Sequence, residues 1–237
     1  MRPGAESLDS EMVTLPSGTA LVQWRRNARA RRVSLRIDPS DGAIVVTLPP
    51  RASRKAGMAL LMGHMDWVAQ RLAALPAPVT LADGTEVPIG GVPHRIRHHP
   101  DRRGGAWLEA GELHVTGAPE FLARRVVDFL RAEAGRRLLV LVRAKAGMAG
   151  VIPARVTIKD TTSRWGSCAT DGGLAFSWRL VMAPVFVQDY VAAHEVAHLR
   201  HMNHSPDFWA LVAGLTAHSS RAMIWLRREG PRLLRVG

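Results

Sequence analysis

Val33-Ser34-Leu35-Arg36-Ile37 alternates strictly between apolar and polar residues, a period of two that predicts a strand with one polar face. Asp38-Pro39-Ser40-Asp41-Gly42 supplies turn residues, and Ala43-Ile44-Val45-Val46-Thr47-Leu48 returns as a more buried strand. Upstream, residues 1–11 are polar and predict a frayed end. Val13-Thr14-Leu15, a Pro16-Ser17-Gly18 turn and Ala20 to Trp24 predict a hairpin, so the chain opens with an antiparallel sheet. Beyond Ser53, a natural N-cap, apolar residues at Leu60, Leu61, Trp67, Val68 and Leu72 predict one helix, stopped by Pro76-Ala77-Pro78. Residues 79–118 return to short alternating runs broken by Gly pairs, the pattern of small meandering strands.

The period changes to helical after Pro119, through Phe121, Leu122, Val126, Phe129, Leu130, Leu138 and Val142, ending near Gly147 to Gly150. The main boundary is therefore placed near residue 117, between a β-rich region with one helix at 1–117 and a second domain at 118–237. In the second part, Val156 to Lys159 and Leu174 to Val181 predict strands on either side of a polar loop, Thr161 to Cys168. Pro184 suits the first turn of a helix. Ser205-Pro206-Asp207 combines an N-cap, a first-turn proline and an early acid, and so starts another. The fold class expected is α+β.

Composition narrows this picture only a little. Apolar residues make up 47% of the chain and charged residues 22%, the balance of a folded globular protein. No apolar run is long enough to span a membrane and the N-terminus lacks a secretory signal, so a cytoplasmic protein without membrane contact is expected. The single cysteine, Cys168, fits a reducing compartment. The formal charge of +12 leaves nucleic acid open as a partner, although Arg25 to Arg36 reads first as the solvated face and turn of a hairpin. His94, His98 and His99 have no Cys or carboxylate at ligand spacing and read as loop and strand residues.

Chemistry concentrates in His194-Glu195-Val196-Ala197-His198, followed by His201 and His204. Two histidines four apart on a helix lie about 40° apart around the axis, so both imidazoles can reach one metal ion. Glu195 flanks the same site, placed to act as general base rather than ligand. The helix must end before Ser205, with Asn203 available for a left-handed cap, which puts His204 in an inter-helix turn that can fold back to the metal. His201 competes for third ligand, but on a continuous helix it would lie ~10.5 Å of rise beyond His194, where one tetrahedral ion has difficulty meeting all three, so His204 is favoured over His201. Three histidines leave one position for water, the arrangement of a catalytic Zn²⁺. Glu195 would take the proton of the zinc-activated water and return it to the leaving amine.

These residues carry a family resemblance. Ser163-Arg164-Trp165-Gly166-Ser167-Cys168, Trp178-Arg179-Leu180 with Ala183-Pro184, Asp189-Tyr190-Val191, His194-Glu195 through His198-Leu199, and Asn203-His204-Ser205-Pro206 with Phe208-Trp209 resemble the YgjP-like metallopeptidases, relatives of the SprT-like and WLM-type minimal zincins. The close match spans roughly residues 155–210, and the N-terminal sheet fits more loosely. The resemblance implies a zincin-like metallopeptidase core, zinc on His194, His198 and His204, and Glu195 as base. Ser177 stands where the family usually has Asn before Trp178.

The same comparison gives Arg164 and Trp165 a place beside the cleft. Arg164 is either a carboxylate- or phosphate-binding group or a structural contact. Tyr190, one turn before His194, is a candidate oxyanion stabiliser or a packing residue. Cys168 has no activating histidine in view and is a poor nucleophile. The function expected is a zinc peptidase acting on protein or peptide. The alternatives are a metal-dependent hydrolase of a nucleotide phosphoanhydride, or a DNA-associated, SprT-like protease using the basic surface.

Overall fold

The structure, a computed structural model, describes residues 6–15 and 18–237, with side chains from residue 9. The expected turn residues Pro16 and Ser17 and the first five residues lie outside the described residues. The chain divides into two compact units between Ala77 and Pro78. The boundary expected near residue 117 falls inside the second unit, because strands 86–116 pack on the long helix that follows them.

In the first unit, β1 (Glu6–Leu15), β2 (Gly18–Arg26), β3 (Ser34–Ile37) and β4 (Ile44–Leu48) form a sheet ordered β1-β2-β4-β3. The polar stretch expected to fray pairs with β2 at Glu6 and, after a register shift, continuously from Asp9 to Leu15. The sheet is mixed rather than antiparallel throughout, with β2 and β4 parallel. Helix α1 (Arg54–Met62) starts at Ser53, whose hydroxyl accepts from Ala56 N–H, and the predicted single helix breaks at Gly63-His64 before α2 (Met65–Ala73). His64 Nδ1 lies 2.9 Å from Leu60 O at that break. Val22, Trp24, Ile44, Val46 and Leu48 meet Leu61 and Val68 in this unit's core. Gly57 permits the contact, since a Cβ there would lie 2.6 Å from the Trp24 ring.

In the second unit, β5 (Glu86–Ile89), β6 (Val92–His99), β7 (Ala106–Glu109) and β8 (Glu112–Thr116) form a sheet ordered β5-β6-β8-β7. It is not a simple meander, because β6 and β8 run parallel. Its inward residues Val87, Ile89, Ile96, Leu113 and Val115 share one core with the buried stripe Val126, Leu130, Ala134, Leu138 and Val142 of α3 (Leu122–Ala149). The four-residue spacing of that stripe keeps it on one helix face. Helix α3 ends at Gly150, which adopts the left-handed conformation at φ 63°.

A three-stranded sheet follows, ordered β10-β11-β9, from β9 (Arg155–Lys159), β10 (Gly166–Cys168) and β11 (Gly173–Ser177). Part of the predicted polar loop is therefore strand β10, and the predicted strand through Val181 ends at Ser177. Trp178–Met182 turns as a buried 3₁₀ helix instead, an apolar run that gives the same sequence signal as a buried strand. Helix α4 (Val185–Ala197) follows Pro184, then α5 (Pro206–Leu215) and α6 (Ser219–Leu233). Among the described residues no helix is long and apolar enough to cross a membrane.

Candidate metal centre

Helix α4 carries His194 and Glu195 near its C-terminal end, and it is buried on most sides through Val187, Tyr190 to Ala193 and Val196. A helix buried on most of its faces is a core helix, and a core helix holds its side chains in fixed positions. Asp189 anchors it further. Its carboxylate lies 2.6 Å from Lys145 Nζ on α3 and accepts a 2.6 Å hydrogen bond from Thr216 Oγ1 after α5, while Lys145 also donates to Leu215 O.

His198 closes α4, and the exit is tightened by bonds from Leu199 N–H to Val196 O and Arg200 N–H to Ala197 O. Asn203 does not take the left-handed conformation expected of it, since Ala110 is the one non-glycine with positive φ among the described residues. The three-residue-spaced bonds already satisfy the carbonyls that such a cap would serve. Ser205 caps α5 by accepting from Phe208 N–H, so His204 sits in the connection between the two helices.

There the structure brings His194, His198 and His204 together, one ring nitrogen from each lying within 4.8 Å of the others. His194 Nε2 and His204 Nε2 are 3.2 Å apart. Two nitrogens sharing a tetrahedral zinc at about 2.05 Å would be separated by roughly 3.3 Å, so the His194–His204 pair already has the spacing one ion requires. The fit extends to the tautomers. His198 Nδ1 lies 3.0 Å from the His201 carbonyl, and donating there leaves Nε2 with its lone pair free. His201 thus contributes its backbone oxygen to the site. His194 Nδ1 is buried and has no hydrogen-bond partner among the described residues, so a metal on Nε2 would leave this nitrogen carrying an unpaired proton.

Electrostatics favour the same chemistry. Burial, then the charges of His198 and His204, lower the His194 pKa to about 4, and burial lowers that of His198. Both rings are neutral near pH 7 and available as donors. Phe208, fully buried, floors the cluster with ring centroids 4.5 to 5.0 Å from all three imidazoles. Trp209 stacks on His204 at 5.7 Å and remains 39% exposed.

Glu195 is 5% exposed, and burial pushes its carboxyl up to about 7 while the charge of Arg164 pulls it down. A cation on the histidines would act in the same direction as Arg164 and favour the carboxylate. Strand β10 lies directly against this side chain: a Cβ on Gly166 would sit 2.4 Å from Glu195 Oε1. The contact has no signature in the sequence beyond a glycine within Arg164-Trp165-Gly166-Ser167.

The remaining expected site residues fall around this centre. Arg164 is exposed and acts on Glu195 by charge. Trp165 is half-buried, its indole against Gly230 of α6. Tyr190 is 6% exposed, its ring 5.8 Å from that of His194, and burial followed by the Glu195 charge raises its pKa. Ser177 donates to Thr161 O and, through its N–H, to Trp165 O, tying down the loop that leads into β10. Burial and then the charges of Glu195 and Asp171 push the Cys168 thiol up, away from a reactive thiolate. His94 and His98 bond to nearby backbone carbonyls, while His99 reaches His114.

The family model described as YgjP-like, metallopeptidase domain, matches residues 31–229. Among curated proteins no match reaches significance. Among solved structures, the chain is similar to the metallopeptidase zymogen abylysin of Pyrococcus abyssi. The two share 17% identity over 39% of this chain and 95% of that one, with a TM-score of 0.35.

Proposed function

The chain belongs to the YgjP-like metallopeptidase family, and from that premise we propose that it is a zinc-dependent peptidase with a zincin-like core and an active site on α4. His194, His198 and His204 would hold the zinc, and Glu195 would be the general base. The observation that carries this reading is the approach of three imidazole nitrogens to within 4.8 Å beside a buried carboxylate.

When bound, zinc supplies Lewis acidity to a water and to the carbonyl of the scissile peptide bond. Glu195 is the group that would take a proton from the attacking water and return it to the leaving nitrogen, so one side chain would serve both halves of the reaction. Gly166 leaves the space in which the carboxylate lies. Arg164 keeps positive charge near Glu195 and favours its ionised form. Tyr190, beside His194, is placed to steady that ring, with oxyanion stabilisation as its further candidate role. Arg164 and Trp165 are assigned to substrate binding at the rim, and the substrates are proteins or peptides met in a reducing compartment.

Purified protein assayed on unfolded casein, on a nucleotide panel and on DNA, with and without a chelator, tests the reading. Casein is expected to be cleaved, with cleavage lost on chelation and restored by zinc. Nucleotide hydrolysis without casein cleavage would overturn the peptidase in favour of a phosphoanhydride hydrolase. Cleavage that depends on DNA would favour a DNA-associated protease.

A further inference from the structure

A cavity of about 450 Å³ opens at the other end of α4, where its first turn meets α3 and β7. Leu108, Val140, Leu141 and Val185 wall it, and Val140 and Val185 are 64% and 55% exposed. Large aliphatic side chains left open to water around a concavity of this size are the usual lining of a small-molecule site. From Val185 to Glu195 the helix rises roughly 15 Å, so this cavity is separate from the histidine cluster.

Its polar end is built from α3. Glu133 is buried to 4% exposure and both its oxygens are engaged, one by Arg136 and one by Arg137. Residues 133, 136, 137, 140 and 141 follow the three- and four-residue steps of one helix face, so charged head and apolar walls are continuous. Two guanidiniums against one carboxylate leave one positive charge in excess. Arg137 is held in place, since its Nη1 lies only 2.6 Å from where a Cβ on Gly90 would stand, and φ +66° at that turn suits glycine. Only the Nε of Arg137 is engaged by Glu133, and its Nη groups have no partner among the described residues. Buried Gln188 gives its amide hydrogens to Val181 O and Ala183 O, which fixes the cavity wall at the start of α4.

We propose that this cavity is a second ligand site, which takes a small carboxylate with an aliphatic body of about ten carbons. The anionic head pairs with the Arg137 guanidinium and its neighbour Arg136, and the alkyl chain lies along Val140, Leu141, Val185 and Leu108. The preformed fork of donors selects an anion, and the apolar walls supply the driving force.

Calorimetric titration of the full chain with decanoate below its aggregation threshold, beside 1-decanol and decyltrimethylammonium, tests the site. Saturable one-to-one binding of decanoate is expected, at least about tenfold tighter than either comparator. Val140→Trp, made at an exposed position, should fill the cavity and weaken binding by about tenfold or more while thermal unfolding stays cooperative. Arg137→Gln should remove the preference for decanoate over decanol and leave Glu133 paired with Arg136. Equal binding by Val140→Trp, a preference for the cationic amphiphile, or absence of saturable binding would each overturn the proposal. So would tighter binding of an apolar peptide with a free C-terminus, which would make the occupant a polypeptide. The readout is binding, so its failure leaves the peptidase reading untouched.

Discussion

Replacing Glu195 by glutamine is expected to reduce peptide hydrolysis by about a thousandfold while the protein keeps its zinc. Glutamine has nearly the same shape, so it can occupy the space beside Gly166 without displacing β10. It cannot accept a proton at pH 7, and a water facing it keeps its proton through the attack. The three imidazoles are unchanged, so metal affinity has no reason to fall. Steady-state kinetics on a peptide, paired with metal analysis of the same preparation, separates the two effects. Full hydrolysis by the glutamine variant would remove Glu195 from the mechanism.

Gly166→Ala is expected to lower kcat by about ten- to a hundredfold with zinc content unchanged. The added methyl would stand 2.4 Å from Glu195 Oε1, 2.6 Å from its Cγ and 2.7 Å from its Cδ, closer than atoms of this kind can approach. Either the carboxylate swings aside or edge strand β10 shifts off α4, and in both cases the base leaves its position. Displacement of a catalytic group by about 1 Å commonly costs this much. Ser167→Ala, on the same strand, should retain most of the activity, which separates the position of Glu195 from general damage to β10. Wild-type kcat in Gly166→Ala would mean that the base does not depend on this contact.

The parts of this architecture with strong local punctuation are legible in the sequence. Pro184 before α4 and Ser205-Pro206 before α5 fix two helix starts, and with them the position of His204 between helices. Ser53 fixes the start of α1 in the same way. Where punctuation is weak, the reading fails. The helix expected to run unbroken from Ser53 to Leu72 instead breaks at Gly63-His64, where the His64 ring lies against the Leu60 carbonyl. Gly166-Ser167-Cys168 has no apolar run, and it becomes a strand only because β11 offers it an edge. Trp178 to Met182 is apolar throughout, a signal that cannot separate a buried strand from a buried 3₁₀ turn.

The candidate site follows the same division. The His194 to His204 spacing is local and readable, whereas the Gly166–Glu195 and Phe208–imidazole contacts are tertiary and carry no periodic mark. The role of His201 illustrates the limit. Sequence weighs its ring as a ligand, and the fold uses its carbonyl to orient His198. The boundary near residue 117 marks a real change of period at α3, but the contact division lies at Ala77, since a β-region and a helix of different period share one core.

Metal analysis of freshly purified wild-type protein beside His201→Ala and His204→Ala is the most direct measurement. About one zinc per chain is expected in the wild type and in His201→Ala, whose backbone carbonyl is intact, and almost none in His204→Ala. Zinc retained in full by His204→Ala, or absent from the wild type, would contradict the three-histidine centre.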